Sequence, residues 1–138
     1  MSKTAVIYWS GTGNTEAMAK AVLKGAGLGA QLFAVSDFDA SKISAFDAFA
    51  LGCPAMGSEA LEDGEFEPLF NEIKGQLAGK KVALFGSYGW GDGEWMRSWE
   101  DDCADAGINL AAESVICNDA PDEEALEACR ALGETLAQ

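Results

Sequence analysis

The chain has 138 residues, 49% of them apolar, with nine basic and 23 acidic side chains, no histidine and a net charge of −14. That length suits one domain, spanning 1–138, and the apolar content excludes a disordered polymer. The charge argues against nucleic acid and anionic membranes, whose phosphates are met by Lys and Arg. It favours a soluble protein that meets basic patches on its partners, although a purely solubilising role for the charge stays open at this point. Cys53, Cys103, Cys117 and Cys129 form no CxxC pair, and without histidine they do not suggest zinc. They read as buried thiols of a reducing compartment. The start, MSKTAVIY, is too short and too quickly polar for a signal peptide, and no apolar run approaches a membrane span. The expected location is the cytoplasm.

In chain order, AVIYW (5–9) is a continuous apolar run, as expected of a strand covered on both faces. A helix follows over 14–26, and QLFAV (31–35) is a second strand. DFDASKISAF reads as polar and irregular, with one short helical piece. AFALG (48–52) is the third strand. After a long loop, Phe66, Leu69, Phe70, Ile73 and Leu77 mark one face of a helix. KVALFG (81–86) is the fourth strand. Trp95, Met96, Trp99, Cys103 and Ala106 mark the next helix, closed by Gly107. A fifth strand is expected within INLAAESVI (108–116). Pro121 and Asp122 open a last helix with Leu126, Cys129, Leu132, Gly133 and Leu136 on its inner side. Strands alternating with helices imply an α/β fold with a parallel sheet covered on both faces and right-handed crossovers.

Three glycine-rich loops, 10–15, 53–59 and 87–93, follow the first, third and fourth strands, so they meet at one edge of the sheet. Ligands of such folds sit at that edge, where strand order reverses. SGTGNT lacks the lysine of a nucleotide-triphosphate loop. It offers neutral donors instead: the hydroxyls of Ser10, Thr12 and Thr15, the amide of Asn14 and the first N–H groups of a helix, with Gly11 and Gly13 allowing close approach. An ordinary strand-to-helix turn would look similar. In PAMGSE, Met56 is a soft contact for an aromatic plate and Gly57 can change turn type. Taken alone, Glu59 is a solvated acid. In SYGWGDG, Tyr88 and Trp90 stand among glycines with no period that buries them, which suits a stacked planar ligand or a loop folded onto the core. Joined, the loops describe a ligand with a phosphate at one end and an aromatic plate at the other. No catalytic set accompanies them, so the protein reads as the carrier of a redox cofactor.

YWSGTGNTEAMA, LGCPAMGSEALED and KKVALFGSYGWGDGEWM resemble the flavodoxins, in particular the short-chain flavodoxins of anaerobic bacteria, and the similarity runs essentially end to end. The resemblance implies a flavodoxin-like, doubly wound five-stranded parallel sheet of order 2-1-3-4-5 with FMN at the switch point; flavodoxin is itself the standard example of that order. It implies that Ser10, Gly11, Thr12, Gly13, Asn14 and Thr15 hold the FMN phosphate. Met56 would cover the inner face of the isoalloxazine, Trp90 would stack on the outer face and Glu59 would accept the N3–H. Pro54, Ala55 and Gly57, with Tyr88, Gly89 and Gly91, would line the ring edge, and Ser87 and Asn118 would lie near the ribityl chain.

The family also implies a low-potential one-electron carrier working between semiquinone and hydroquinone. The Gly57 carbonyl would turn toward the flavin on reduction. Relatives can carry Ser in place of Pro54 and Asp in place of Ser58, which bears on the potentials. The implied partners are basic-surfaced redox enzymes of the ferredoxin-served kind, met transiently by a monomer through Glu59, Glu62, Asp63, Glu65, Glu67 and Asp92. The alternative on the same fold is an FMN-dependent NAD(P)H or quinone reductase. A phosphorylatable receiver would need acids where WSG and GCP stand, and a thiol phosphatase would need Cys and Arg in the first loop.

Overall fold

Residues 3–56, 60–89 and 91–138 are described by a computed structural model. Strand β1 (Thr4–Tyr8) leads into helix α1 (Asn14–Ala26), and β2 (Ala30–Ala34) follows. The chain crosses to β3 (Ala48–Gly52) through two 3-10 turns, Val35–Asp37 and Ala40–Ala45. Then come α2 (Phe66–Ile73), β4 (Lys81–Tyr88), α3 (Glu94–Asp105), β5 (Val115–Asn118) and α4 (Glu123–Ala137). The five strands form one sheet in the order β2-β1-β3-β4-β5, and every pairing is parallel. The order reverses between β1 and β3. This is the flavodoxin-like arrangement that the sequence implies.

Side-chain alternation along the central strands divides the interior in two. Ala5 and Ile7, Phe49 and Leu51, and Val82 and Leu84 face α2 and α3, where they meet Phe66, Phe70, Ile73, Trp95, Trp99 and Cys103. Val6, Ala48, Ala50, Ala83 and Phe85 face α1 and α4, against Met18, Val22, Cys129, Leu132 and Leu136. The second face carries small residues, so its two helices lie close to the sheet and to each other. Gly25 and Gly133 make that approach possible. A Cβ on Gly133 would overlap the Val22 carbonyl oxygen, and one on Gly25 would overlap the Arg130 carbonyl.

Three elements depart from the sequence reading. The fifth strand lies at 115–118 and passes the expected boundary. Residues 108–114 form no strand: they make the Val82–Leu110 bridge, backbone bonds from Ile108 N–H to the Cys103 carbonyl and from Ala111 N–H to the Val82 carbonyl, and a side-chain bond from Ser114 Oγ to Glu100 Oε2 at 2.6 Å. Small and polar residues fill 111–114, and pairing begins at the β-branched Val115. Strand β4 runs on to Tyr88, because Ser87 and Tyr88 pair with Cys117 and Asn118. The stretch read as polar and irregular buries Phe38, Ile43 and Phe46. Phe33 meets Phe38 and Phe46 edge-on at centroid distances of 5.2 and 5.8 Å, and Phe49 joins the same group. These contacts tie β2 to β3 where no full helix covers the sheet.

Gly133→Ala is expected to lower stability to urea by about 1–3 kcal/mol, because the clash is with backbone that cannot swing away. Gly75→Ala, where a Cβ meets open space, is expected to leave stability unchanged or slightly raised. Equal losses in both would show that the α1–α4 contact is looser than described.

Candidate functional site

The first loop leaves β1 with Trp9, whose N–H donates to the Gly52 carbonyl at 3.0 Å. Ser10 Oγ accepts the Gly13 N–H at 3.0 Å, and Thr12 Oγ1 accepts the Asn14 N–H at 3.5 Å. The loop therefore holds its own shape with short hydroxyl side chains. Gly13 sits at φ 96°, in the left-handed region that favours glycine, and caps α1 without a side-chain acceptor. Thr15, at 1% exposure, has a buried Oγ1 with no hydrogen-bond partner. Two other buried polar atoms among the described residues share that condition. Thr4 lies at the opposite end of β1, and the Trp99 indole is boxed edge-on by Phe66 and Phe70. Thr15 alone of the three lies in the first turn of a helix at the carboxyl edge of the sheet. There, backbone N–H groups and the helix dipole favour an anion.

The second loop continues the β3–β4 ladder beyond the strand. Cys53 N–H donates to the Phe85 carbonyl at 3.2 Å, and Ala55 N–H donates to the Ser87 carbonyl at 3.0 Å. The Trp95 indole donates to the Cys53 carbonyl at 3.1 Å. Met56 N–H then reaches the Ala60 carbonyl at 2.9 Å. Gly57 and Glu59, both expected in the site, lie outside the described residues, as does Trp90.

The third loop is tied to the segment after β5. Ser87 Oγ donates to the Asp119 carbonyl at 2.7 Å, and Asp119 N–H donates to the Tyr88 carbonyl at 2.8 Å. Asp119 adopts φ 57°, a left-handed conformation that Asp tolerates better than most residues. Tyr88 is half-buried at the end of β4. Its ring packs against Trp95 at 5.5 Å, so it is less free than a residue among glycines suggested.

These segments enclose a cavity of about 230 Å³ lined by Gly11, Thr12 and Asn14 of the first loop, Pro54, Ala55 and Met56 of the second, and Ser87, Tyr88 and Gly89 of the third. Trp9 and Asp119 complete the lining. Ser10, Gly13 and Thr15 shape the first loop without lining the cavity, and Gly91 is exposed beside α3, at φ 85°. Asn118 lies apart, on a groove between β5 and α4. Sequence reasoning missed Trp9 because it was assigned to the strand. It missed Asp119 although the Asn-Asp pair before Pro121 is a turn signal. Among the described residues of the lining, Asp119 is the only charged one, and no Lys or Arg joins it.

Burial pushes the thiols of Cys53, Cys103 and Cys129 up to about 12, so they stay neutral, and all four cysteines are free. Desolvation works against the charge of Glu62, yet the N–H groups of Phe66, Glu65 and Gly64 outweigh it and hold the carboxyl below its usual range. Among the described residues no cluster of His, Cys, Asp or Glu could hold a metal. No described helix is long and apolar enough to cross a membrane.

A doubly wound sheet with a neutral, donor-rich cleft at its topological switch defines a protein that binds a phosphorylated planar ligand. The flavodoxin family matches residues 6–133, and the chain belongs to it. It is 45% identical to the flavodoxin of Megasphaera elsdenii over 136 residues, which covers 96% of this chain and 97% of that one. Identity to the Clostridium beijerinckii flavodoxin is also 45%, over 135 residues with the same coverage. The solution structure of two-electron reduced Megasphaera elsdenii flavodoxin superimposes with a TM-score of 0.88 at 44% identity, covering 97% of this chain and 98% of that one. The chain is thus an FMN-binding flavoprotein of electron transport. The orphaned Thr15 hydroxyl, the uncharged donors and the apolar wall fit that cofactor.

Thr15→Val is expected to leave the apoprotein as stable as before, because it replaces a buried hydroxyl without a partner. FMN affinity should fall about tenfold or more, as for the loss of one hydrogen bond to a charged group. Fluorescence titration of FMN with apoprotein, beside a urea melt, checks both. The depressed Glu62 carboxyl contributes stability that is present above its unfolded value of about 4.3 and lost as pH falls through the folded value. The stability difference between wild type and Glu62→Gln should therefore shrink as a pH series descends below about 4.

Proposed function

We propose that the chain acts as a single FMN-binding unit, a monomeric low-potential carrier that passes one electron at a time between the one-electron-reduced and fully reduced cofactor. The observation that carries this reading is the cleft itself, in which neutral dipoles converge with no cation among the described lining residues. Bound FMN supplies a ring system that accepts one or two electrons. Thr12, Asn14 and Thr15, with the first N–H groups of α1, would hold the phosphate, and Ser10 would keep the loop in shape. Met56 and Trp90 would cover the two ring faces. Pro54, Ala55, Gly57, Tyr88, Gly89 and Gly91 would follow the ring edge. Ser87 would stand near the ribityl chain and Glu59 near N3. Asp119 lies closer to this cleft than Asn118 does, and we place it beside the chain's polar end.

An anion left unneutralised, within a chain of net charge −14, disfavours further negative charge on the cofactor. A lysine in the first loop would bind phosphate more tightly but would ease the second reduction. Distant surface charges are screened by salt, so the groups nearest the ring matter most.

The acidic side chains expected to meet partners separate into two sets. Asp63, Glu65 and Glu67 are exposed. Asp92 is exposed too but paired with Arg97 at 3.0 Å, the Glu62 carboxylate is turned onto backbone N–H groups, and Glu59 lies outside the described residues. Docking of basic-surfaced, ferredoxin-type redox enzymes would therefore centre on Asp63, Glu65 and Glu67, through a small and transient contact. Four free thiols favour the reducing cytoplasm as the setting. A reductase for NAD(P)H or a quinone would need its own substrate turnover, and the similarity to flavodoxins along the whole chain favours the carrier.

Stepwise dithionite titration should show a long-wavelength absorption band at the half-reduced point. Direct bleaching without it, accompanied by NAD(P)H consumption, would overturn the carrier reading. Electron transfer to a basic partner should slow as ionic strength rises, and Asp63→Asn/Glu65→Gln/Glu67→Gln should flatten that dependence. An unchanged salt profile would move the docking surface elsewhere.

A further inference from the structure

The bend that brings Pro54, Ala55 and Met56 to the cleft is closed from behind by Glu62. The Glu62 backbone N–H donates to Cys53 Sγ at 3.3 Å, joining the two ends of the loop. Its carbonyl accepts the Glu67 N–H at 2.8 Å. Its carboxylate accepts Gly64 N–H on Oε2 at 2.7 Å, and Glu65 and Phe66 N–H on Oε1 at 2.7 and 2.8 Å. Helix α2 has no side-chain cap from Glu65, its own N-cap residue, so Glu62 serves its first turn instead. Inside this outer closure, the Met56–Ala60 bond makes an inner one.

Cys53 is fixed as firmly. Its N–H and carbonyl are held by Phe85 and the Trp95 indole. As a neutral thiol it can accept from Glu62 while donating to the Pro54 carbonyl at 3.5 Å. Ordinary helix capping does not require the capping residue to reach back to the start of the preceding loop. Here one residue orders α2 and pins the far end of the loop to the end of β3.

We propose that Glu62 and Cys53 form a clamp that positions the Pro54–Met56 wall of the FMN site, making Glu62 a positioning residue for the cofactor as well as a helix cap. The proposal rests on the FMN-carrier reading above. Without the clamp, the wall keeps the Ala55–Ser87 bond and the buried Leu61 as its anchors. The loop would then sample more conformations, and binding would have to order it, which weakens affinity. Helix α2 would stay docked through Phe66, Phe70 and Ile73, so the loop should suffer more than the fold.

The test compares Glu62→Ala, Glu62→Gln and Cys53→Ala with Asp122→Ala. Asp122 caps α4 by accepting the Ala125 N–H at 2.8 Å and lies outside the FMN cavity. FMN dissociation constants, urea stability of the apoprotein and hydrogen exchange at the Met56 amide are measured for each. Glu62→Ala should weaken FMN about tenfold and speed Met56 exchange, with Glu62→Gln intermediate because it retains an acceptor oxygen. Asp122→Ala should lower stability while leaving FMN affinity and Met56 exchange at wild-type values. The Glu62→Ala/Cys53→Ala pair should weaken FMN by less than the product of the single effects, since one frees the stretch that carries the Glu62 backbone N–H and the other removes the sulfur that accepts it. Unchanged Met56 exchange in Glu62→Ala would overturn the clamp alone. Equal effects of Glu62→Ala and Asp122→Ala on FMN affinity would reduce Glu62 to a cap. A wild-type protein that binds no FMN would overturn the carrier reading and, with it, the role toward the flavin.

Discussion

The parallel pairing of β1 with β3 is the constraint on which the rest depends. It sets Tyr8 opposite Gly52, and the next pairing sets Gly52 opposite Phe85. The first and third strands thus end at one level, and their loops start from a common line. β4 runs a little further and carries the third loop over the other two. Because β2 lies on the far side of β1, the crossover after β1, through α1, and the crossover after β3, through α2, leave on opposite sides of the sheet. That divergence opens the space for a ligand.

Packing on the two faces supports the same edge from below. The face toward α1 and α4 is built of Ala48, Ala50 and Ala83, so glycine-mediated contact between the helices holds α1 close to the sheet. Its N-terminus is thereby aimed at the cleft and cannot drift. The face toward α2 and α3 is built of large rings, with Trp95 reaching the Cys53 carbonyl from within the core. A core tryptophan therefore sets the position of the carbonyl at the start of the second loop, linking packing directly to the geometry of the cleft. Loops anchored in this way can present backbone groups with little reorganisation, which is what binding by neutral dipoles needs.

Charge placement follows a consistent division. Among the described residues the cleft is lined by neutral groups apart from Asp119, while acids crowd the surface around the second loop. On the proposed reading, neutral donors would hold a phosphate without cancelling its field, and surface acids would guide basic partners over longer distances. Glu62 belongs to neither set, since its carboxylate satisfies backbone donors.

The sequence by itself determined the element order, the parallel sheet and the convergence of the glycine-rich loops, because apolar runs and helical spacing are local patterns. Family motifs in it also named FMN and most of the residues now found along the cavity. It did not reveal that Phe38, Ile43 and Phe46 are buried, because their burial depends on Phe33 and Phe49 from separate strands. It placed the fifth strand too early, because pairing with β4 from Phe85 to Tyr88 decides that the strand runs from Val115 to Asn118. Trp9, Asp119 and the Glu62–Cys53 contact emerged only in three dimensions. Each depends on chain segments distant in sequence, and no local pattern records which backbone groups those segments will bring within hydrogen-bonding reach.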